Sequence, residues 1–267
     1  MSGKVYLVGA GPGDPELLTL KALRLLRTSD VILHDELIGH QILKLAPETT
    51  FRRNVGKRGG RKNIRQQEID TLLVEYARMG LQVVRLKGGD PLVFGRAGEE
   101  VEALRRANID FEIVPGISSM LGAAAAVQIP LTHRTFSSTL IVLTGHSTVA
   151  GGPAEAAPSG WPSHISPGAT VVVYMPGYEY SETSRHLIAA GLEQNTPCAV
   201  ISKATLADQQ IYQTTLQDLH SAPRLPAPTL LIVGEVVQFA RQPSPLYEIA
   251  FRLAANNSFA RESEISE

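Results

Sequence analysis

The chain has 267 residues, of which 43% are hydrophobic and 19% charged, and its formal net charge is −1. This length suits about two domains, and the balanced charge excludes a global bias towards nucleic acid or a membrane surface. Its one cysteine, Cys198, excludes an internal disulfide and a cysteine-cluster metal site. No apolar run is long enough to span a bilayer. Because Met1 leads almost directly into a predicted strand, we expect no signal peptide and a cytoplasmic protein.

The first predicted strand, residues 4–8, runs into the glycine-rich loop of residues 9–14 and then into a leucine-rich helix. Asp14 is a typical N-cap residue, and Pro15 suits the first position of a helix that begins there. The loop departs from the dinucleotide fingerprint GxGxxG because Asp14 stands at the third glycine position and Pro12 has no N–H to offer a phosphate. The sequence therefore disfavours a nicotinamide or flavin site.

The second predicted strand, residues 31–34, ends at Asp35. A carboxylate at this end of a strand faces the same edge of a parallel sheet as the glycine loop. Asp35 is therefore a candidate catalytic residue. A lone acid at such a position is more often the N-cap of the following helix, and that interpretation stays open.

Residues 52–65 are strongly basic, contain three glycines and no acid, and are predicted to form a loop. The basic residues are Arg52, Arg53, Lys57, Arg58, Arg61, Lys62 and Arg65. One interpretation is a solvated surface loop. A second is a nucleic-acid patch, which the lack of interleaved aromatic residues disfavours. A third is a loop that closes over a small polyanion carrying several carboxylates.

The most informative stretch is RLKGGDPLVFGRAGEE, residues 85–100. The apolar run 81–86 predicts a buried strand, and residues 98–107 have helical character with acids near the positive N-terminus. Between them, Gly88 and Gly89 lack Cβ atoms, so their backbone can turn sharply or lie against a ligand. Ligands of open α/β sheets bind at the carboxyl ends of strands. The stretch is therefore a candidate binding loop, with an ordinary turn between strand and helix as the alternative.

Strands and helices alternate through the first half of the chain, which predicts a mostly parallel sheet with helices on both faces. Strands are closely spaced near the end of the second half, which predicts a mixed sheet. We expect an α/β protein of two αβα domains, residues 1–130 and 131–250, with a polar tail at 251–267 and a surface loop at 147–168. The other predicted elements are helices at 63–79, 120–127 and 181–190, and strands at 111–114, 139–143, 170–174, 199–202, 211–215 and 229–233.

Seven blocks of sequence, in order across nearly the whole chain, resemble the uroporphyrinogen-III C-methyltransferases within the tetrapyrrole (precorrin-type) methylases. They are VGAGPGDPELLTLKA at 8–22, RLKGGDPLVFGRAGEE at 85–100, VPGISS at 114–119, IPLTHR at 129–134, TGH at 144–146, VVYM at 172–175 and LIVGEVV at 231–237. The resemblance implies the tetrapyrrole methylase fold. It also implies that S-adenosylmethionine binds in a cleft between the two domains, largely through backbone groups, and leaves as S-adenosylhomocysteine.

Residues at matching motif positions are implied to contact the cofactor. They are Pro12, Gly88, Gly89, Asp90, Val93, Ser118, Ser119, Met175, Ala204 and Thr229. The family often carries Gly-Thr where this chain has Lys203-Ala204, so the adenine side of the site departs from the family pattern.

The implied substrate is uroporphyrinogen III, a cyclic tetrapyrrole with eight carboxylates, methylated on rings A and B at carbons 2 and 7 to give precorrin-1 and then precorrin-2. The implied substrate contacts are Arg96, Arg134, Met175, Lys57 and Arg58. A bidentate guanidinium–carboxylate pair would orient the ring, although a salt bridge to Glu99 or Glu100 is the alternative for Arg96. The candidate catalytic residues are Arg96, Glu99 and Asp35. Because arginine is a poor base, Glu99 or a water is the expected proton acceptor, and Arg96 is expected to position the ring.

A sister methylase that acts on a later precorrin or a diphthamide intermediate is the closest alternative. The IPLTHR and FGRAGEE blocks look more like the uroporphyrinogen enzymes. The resemblance also implies a homodimer and no metal. We expect a stand-alone methylase without a dehydrogenase/chelatase module. Its product, precorrin-2, would be used for the synthesis of sirohaem, cobalamin or haem d1.

Overall fold

A computed structural model describes residues 3–56, 65–145 and 161–241 of the chain. The chain divides into two compact units, Met1–Gly122 and Ala123–Glu267. The boundary proposed at residue 130 and the polar tail at 251–267 stay predictions, and the tail lies outside the described residues.

The sheet of the first unit contains five parallel strands. They are β1 (Lys4–Gly9), β2 (Val31–His34), β3 (Phe51–Asn54), β4 (Gln82–Lys87) and β5 (Asp110–Val114). Their order is β3-β2-β4-β1-β5, so the sheet runs outwards from a central β4. The predicted parallel N-terminal sheet is confirmed. The carboxyl ends of all five strands lie along one edge, which is where such sheets bind ligands.

Helices cover both faces of this sheet, as predicted. The covering helices are α1 (Leu20–Thr28), α2 (His40–Leu43), α3 (Gln66–Arg78) and α4 (Ala97–Arg106). A further helix, α5 (Ser119–Ala126), contains the boundary between the two units. On one face, Leu7 and Leu33 pack with Leu73 of α3 and Leu104 of α4. On the other face, α1 and α2 pack onto a second apolar cluster that includes Leu86. The strands β1, β2 and β4 therefore each contribute apolar side chains to both clusters, as buried parallel strands require.

The first helix begins later than predicted. Asp14 does act as an N-cap, because its Oδ1 accepts a 2.9 Å hydrogen bond from the Glu16 N–H, but it caps only a short 3-10 turn. The α1 helix has its own cap, Thr19, whose hydroxyl accepts from the Ala22 N–H at 3.1 Å. Leu20, the first residue of α1, is 87% exposed, so not every leucine of this leucine-rich helix faces the core.

Around β2 and β3, the structure excludes one open alternative and corrects one prediction. Asp35 does not cap a helix, since α2 begins only after Gly39. Arg52 and Arg53 were assigned to a loop but lie in edge strand β3, where parallel pairing with β2 outweighs their weak β-propensity. The Arg52 guanidinium donates to the carbonyls of Ala46 and Pro47 at 2.8 and 2.7 Å, so this basic residue has a structural role.

The second unit contains a mixed sheet, as predicted. Its strands are β6 (Thr139–Thr144), β7 (Ala169–Tyr174), β8 (Pro197–Ser202), β9 (Gln210–Thr215) and β10 (Thr229–Val233), and α6 (Tyr180–Ala189) packs on it. The order is β6-β7-β10-β8-β9; β6 and β7 are parallel, and the other pairs are antiparallel. The helix stops before Gly191, whose positive φ of +112° suits glycine.

The predicted surface loop at 147–168 needs a partial correction. Residues 161–168 contain no helix or strand, as expected for a loop. However, Ile165 is buried in the core of the second unit, and the Trp161 indole donates to the Thr144 carbonyl at 2.9 Å. Among the described residues, no helix is long and apolar enough to cross a membrane.

Candidate active site

Three loops at the carboxyl edge of the first sheet contact one another through the main-chain atoms of glycine residues. Gly89 donates its N–H to the Gly11 carbonyl at 2.8 Å, and Gly11 donates to the Gly89 carbonyl at 3.2 Å. A Cβ on Gly9 would lie 2.5 Å from the Gly116 nitrogen, and a Cβ on Gly116 would lie 2.4 Å from the Gly89 oxygen. Such distances leave no room for any side chain. The loops after β1, β4 and β5 therefore form a rigid glycine junction, defined here as Gly9, Gly11, Gly89 and Gly116.

Gly88 and Gly89 lie side by side but have different surroundings. Gly89 has a φ of +67°, and a Cβ there would lie 2.9 Å from the Ser119 hydroxyl oxygen. Gly88 has no atom within 4 Å of where its Cβ would stand. The backbone of Gly88 is therefore open to an approaching ligand, whereas that of Gly89 is closed off by α5.

Asp90 links two of the loops through its carboxylate. Its Oδ1 accepts from the Leu92 N–H at 2.8 Å, and its Oδ2 accepts from the Gly116 N–H at 3.1 Å. The Val93 N–H donates to the Asp90 carbonyl at 3.3 Å, which tightens the same turn. The structure thus shows Asp90 shaping the loop, and its predicted contact with a cofactor stays a prediction. The remaining predicted residues of this unit, Pro12, Ser118 and Ser119, lie on or next to the joined loops.

Arg96 and Glu99 form an open ion pair at the start of α4. The Arg96 Nε and Nη2 donate to Glu99 Oε1 and Oε2, each at 2.7 Å, and both side chains are about half exposed. Hydrogen bonding to Glu99 raises the pKa of Arg96, so the guanidinium stays charged and cannot act as a base. The structure thus contains the salt bridge between Arg96 and Glu99 that was the alternative interpretation. The role of Arg96 in substrate binding stays a prediction.

The backbone around Arg96 is strained. Phe94 and Arg96 have φ values of +52° and +57°, in the left-handed region that residues other than glycine seldom occupy. Residues held in such conformations cluster at functional sites, because the surrounding structure must impose them. The segment 90–96 therefore has the character of a functional loop.

A buried charge cluster, formed by Asp35, Arg85, Lys87 and Glu100, lies beneath this loop. Arg85 Nε donates to Glu100 Oε1 at 2.9 Å, and Lys87 Nζ lies 3.0 Å from both Glu100 oxygens. The other end of the Arg85 guanidinium binds Asp35 Oδ1, which explains why Asp35 does not cap a helix. Glu100 is 0% exposed, Lys87 2% and Arg85 3%. The cluster holds two cations and two anions, so it is formally neutral.

The two cations of this cluster respond differently to their surroundings. Burial lowers the pKa of Lys87, and the neighbouring Arg85 lowers it further. Burial opposes the charge of Arg85 as well, but Asp35 and Glu100 outweigh it and raise the pKa of Arg85. Asp35, with its side chain one-third exposed, is thereby fixed beside a permanent cation.

Three predicted residues of the second unit meet at one edge of its sheet. Met175 directly follows β7, Ala204 follows β8, and Thr229 begins β10. Thr229 pairs with Ser202, and Leu230 with Tyr174, so these strand ends lie together. Left-handed backbone is concentrated at the same edge, with φ values of +49° at Met175, +49° at Lys203 and +68° at Thr205.

Arg134 does not lie at that edge. It belongs to a tight turn in which the backbones of His133 and Ser137 exchange hydrogen bonds of 2.8 and 2.9 Å, and the turn precedes β6. A strand of six residues separates the turn from the Met175 edge, a distance of roughly 20 Å along the sheet. Lys57 and Arg58 lie outside the described residues, so their predicted contacts with substrate stay predictions.

Comparison with known proteins identifies the family to which this chain belongs. Residues 4–220 match the family of Tetrapyrrole (Corrin/Porphyrin) Methylases. The chain belongs to the tetrapyrrole methylases. This tetrapyrrole methylase is 43% identical to a uroporphyrinogen-III C-methyltransferase of Paracoccus denitrificans over 260 residues, which cover 95% of the chain and 89% of the relative.

A longer relative and a solved crystal structure are also similar to the chain. Over 239 residues the chain is 44% identical to a siroheme synthase of Hahella chejuensis, covering 88% of the chain but 50% of the relative, so it spans about half the length of such relatives. The crystal structure of a uroporphyrin-III C-methyl transferase from Thermus thermophilus, complexed with S-adenyl homocysteine, superposes with a TM-score of 0.74 at 37% identity. That match covers 88% of this chain and 99% of the other. The family and the fold expected from the sequence are confirmed.

Sequence reasoning did not name several residues that build the site of this tetrapyrrole methylase. Gly9 and Gly116 were noticed only as parts of longer motifs, and Arg85, Lys87 and Glu100 were not considered as a group. A signal for the charge cluster does exist in the sequence: Arg85 and Lys87 alternate within an otherwise apolar strand, so both point to one face of a buried sheet. Buried cations of this kind require partners.

Proposed function

We propose that this tetrapyrrole methylase transfers methyl groups from S-adenosylmethionine to uroporphyrinogen III, first forming precorrin-1 and then precorrin-2 by methylation at carbons 2 and 7. The observation that carries this proposal is the 43% identity to the Paracoccus uroporphyrinogen-III C-methyltransferase, because it extends over 95% of the chain and 89% of the relative. The siroheme synthases match over only half their length, so any second activity of theirs does not enter the proposal.

Gly88, which lies next to the glycine junction, suits a methyl donor held by main-chain atoms. The open space beside Gly88 would admit the ligand to the backbone, and a side chain there would fill it. S-adenosylmethionine, when bound, supplies a methyl group on a positively charged sulfur, which is already a strong electrophile. The protein's task is then to hold donor and acceptor in line and to exclude water. We assign the donor to the loops carrying Pro12, Gly88, Gly89, Asp90, Val93, Ser118 and Ser119. The residues of the second unit that the resemblance implies as cofactor contacts stay part of the proposal; they are Met175, Ala204 and Thr229.

Arg96 is suited to seat a carboxylate arm of the substrate. A guanidinium has five N–H donors in a rigid fork, and the pair with Glu99 uses two of them. A substrate carboxylate can therefore bind the remaining donors while Glu99 stays in place. Glu99, or a water beside it, would then accept the proton that the ring loses. Asp35 is the second candidate acceptor, and Arg134 is a further contact for the carboxylate arms.

An acceptor comparison tests the assignment of substrate. The purified chain is incubated with labelled S-adenosylmethionine and, in separate reactions, with uroporphyrinogen III, precorrin-2 or a diphthamide intermediate. Label should enter uroporphyrinogen III at least about tenfold faster than the others. The diphthamide intermediate has no tetrapyrrole ring, and precorrin-2 keeps the acidic arms but already carries methyl groups at carbons 2 and 7. Transfer to a later precorrin or to the diphthamide intermediate alone would overturn the proposed substrate but leave the family unaffected.

We also infer that the chain acts as a homodimer, as its family resemblance implies, and that it works in the cytoplasm. Sedimentation equilibrium at micromolar concentration tests the oligomeric state. A single species of twice the chain mass is expected, and a monomer across the whole concentration range would contradict the inference.

A further inference from the structure

Lys87 and Glu100 connect the two ends of the segment 88–96. Lys87 is the last residue of β4, and Glu100 lies in the first turn of α4. The Lys87 ammonium lies 3.0 Å from each oxygen of Glu100, and both side chains are almost completely buried. The loop with the open Gly88 and the strained Arg96 therefore begins and ends at a single buried ion pair.

The loop also rests directly on the lysine side chain. A Cβ added at Gly95 would lie 3.2 Å from Lys87 Cε and 2.5 Å from the Pro91 carbonyl oxygen. The aliphatic part of Lys87 thus forms the floor under Gly95, between the strained residues Phe94 and Arg96. Strained backbone persists only where its surroundings over-determine it, and Lys87 is part of those surroundings.

Stability alone does not account for charges at these positions. Removing charged groups from water is costly, and well-packed apolar residues often replace a buried ion pair with no loss of stability. The face of β4 that carries Arg85 and Lys87 is otherwise apolar, with Val83 in the same core cluster. An aliphatic residue at position 87 would therefore suit the core but would lose the directional contacts to both Glu100 oxygens.

We propose that Lys87 is a positioning residue, which fixes the segment 88–96 by holding the end of β4 to the first turn of α4 through Glu100. Lys87 acts on the reaction indirectly. It fixes the position of the open backbone of Gly88 relative to the guanidinium of Arg96. Arg85 extends the same connection to Asp35, so all four charges of the cluster set the geometry of one sheet edge. The catalytic consequence rests on the proposed function, whereas the structural consequence does not.

Two variants and one control separate positioning from general stability. K87M keeps the length and the apolar stem of the side chain but removes the ammonium. K87M/E100Q also removes the carboxylate, which leaves Arg85 and Asp35 as a balanced pair and keeps the test meaningful if K87M alone does not fold. The control is L73A, which removes buried apolar contacts from α3 in the same unit, away from the segment 88–96. Measurements are made at a temperature where all variants are folded.

The first readout is hydrogen exchange, which needs no activity. In K87M and K87M/E100Q, the protected amides of Gly89, Leu92 and Val93 should exchange at least about tenfold faster, while in L73A they should keep the wild-type rate. The second readout is steady-state kinetics, where kcat should fall about 100-fold, as expected for small misplacements of reacting groups. Wild-type exchange in the loop, or a kcat equal to that of L73A, would overturn the proposal. Failure of the wild-type chain to transfer methyl groups would instead overturn the proposed function, and the exchange result would still decide the role of Lys87.

Discussion

At the scale of single residues, the site depends on where side chains are absent. Gly9 and Gly116 lie so close to each other and to the Gly89 carbonyl that neither can carry a Cβ, whereas Gly88 next to Gly89 has open space. The same residue type thus serves two purposes within one loop system. The junction glycines hold three loops together, and Gly88 is proposed to offer its open backbone to the methyl donor.

Alanine substitutions should separate these two purposes. G116A is expected to lower the free energy of unfolding by about 3 kcal/mol, because its methyl group would overlap backbone atoms that cannot move easily. G88A should change stability by less than about 1 kcal/mol but weaken S-adenosylhomocysteine binding at least about tenfold. Denaturant unfolding and titration calorimetry measure the two effects.

The control for this pair is G98A, on the exposed side of α4, where a Cβ also meets nothing within 4 Å. It should stabilise the helix by about 1 kcal/mol and leave binding of S-adenosylhomocysteine unchanged. Normal binding by G88A would show that the ligand does not approach this backbone.

Arg96 offers a second test at the same scale. R96A should leave affinity for S-adenosylhomocysteine within about twofold of wild type and reduce turnover at least about 100-fold, because the substrate loses its orienting guanidinium. The loss of the exposed pair with Glu99 should cost little stability. R78A, which removes an exposed arginine at the end of α3, is the charge-matched control. Undiminished methylation by R96A would remove this residue from the account.

At the scale of elements, the edge of the first sheet is arranged by contacts between segments far apart in the sequence. The strand β4 and the helix α4 supply Arg85, Lys87 and Glu100, and β2 delivers Asp35. The helix α3 reaches the same cluster, because the side-chain amide of Gln66 donates to Glu100 at 3.4 Å and to Asp70 at 3.1 Å. One turn of α3 thus adds a further acid next to the buried charges.

Asp70 predicts a pH-dependent difference in stability. Burial raises the pKa of this carboxyl from 3.8, and Glu100 and Glu99 raise it further against the hydrogen bond from Gln66. A raised pKa means that the folded state binds the proton more tightly, so this contribution to stability is complete below pH 3.8 and is lost as the pH rises through the folded-state value. D70N should therefore raise the Tm by about 1 to 2 °C at pH 7, and the gain should disappear near pH 3.5.

The control for D70N is E75Q, which removes one charge from an exposed position on the same helix. It should show no comparable gain at pH 7. A D70N variant that is less stable than wild type at pH 7 would contradict the unfavourable environment inferred for the Asp70 carboxylate.

At the scale of the whole molecule, the two sheets follow from patterns that can be read locally. Apolar runs bounded by glycine and proline identify most strands, and their alternation with helices predicts a parallel first sheet. The edge strand β3 was missed because its sequence, Phe-Arg-Arg-Asn, has no apolar pattern and becomes a strand only by pairing with β2. The late start of α1 was missed because two caps, Asp14 and Thr19, follow each other closely.

The site was less predictable than the fold for a physical reason. The resemblance supplied motif positions such as Gly88 and Arg96, but not how the loops are joined. The contact between Gly9 and Gly116, and the sharing of Glu100 by Arg85 and Lys87, depend on strand order and helix placement. Such contacts become visible only when distant segments are assembled.

The central claim is that one active site adds two methyl groups to uroporphyrinogen III, and the most direct test counts them over time. The purified chain is mixed with uroporphyrinogen III and excess S-adenosylmethionine under reducing conditions, and the tetrapyrroles are followed by mass spectrometry. The account predicts a singly methylated ring that rises and falls, followed by a doubly methylated product that accumulates and gains no third methyl group. An unmodified ring after prolonged incubation, or a product that stops at one methyl group, would contradict it.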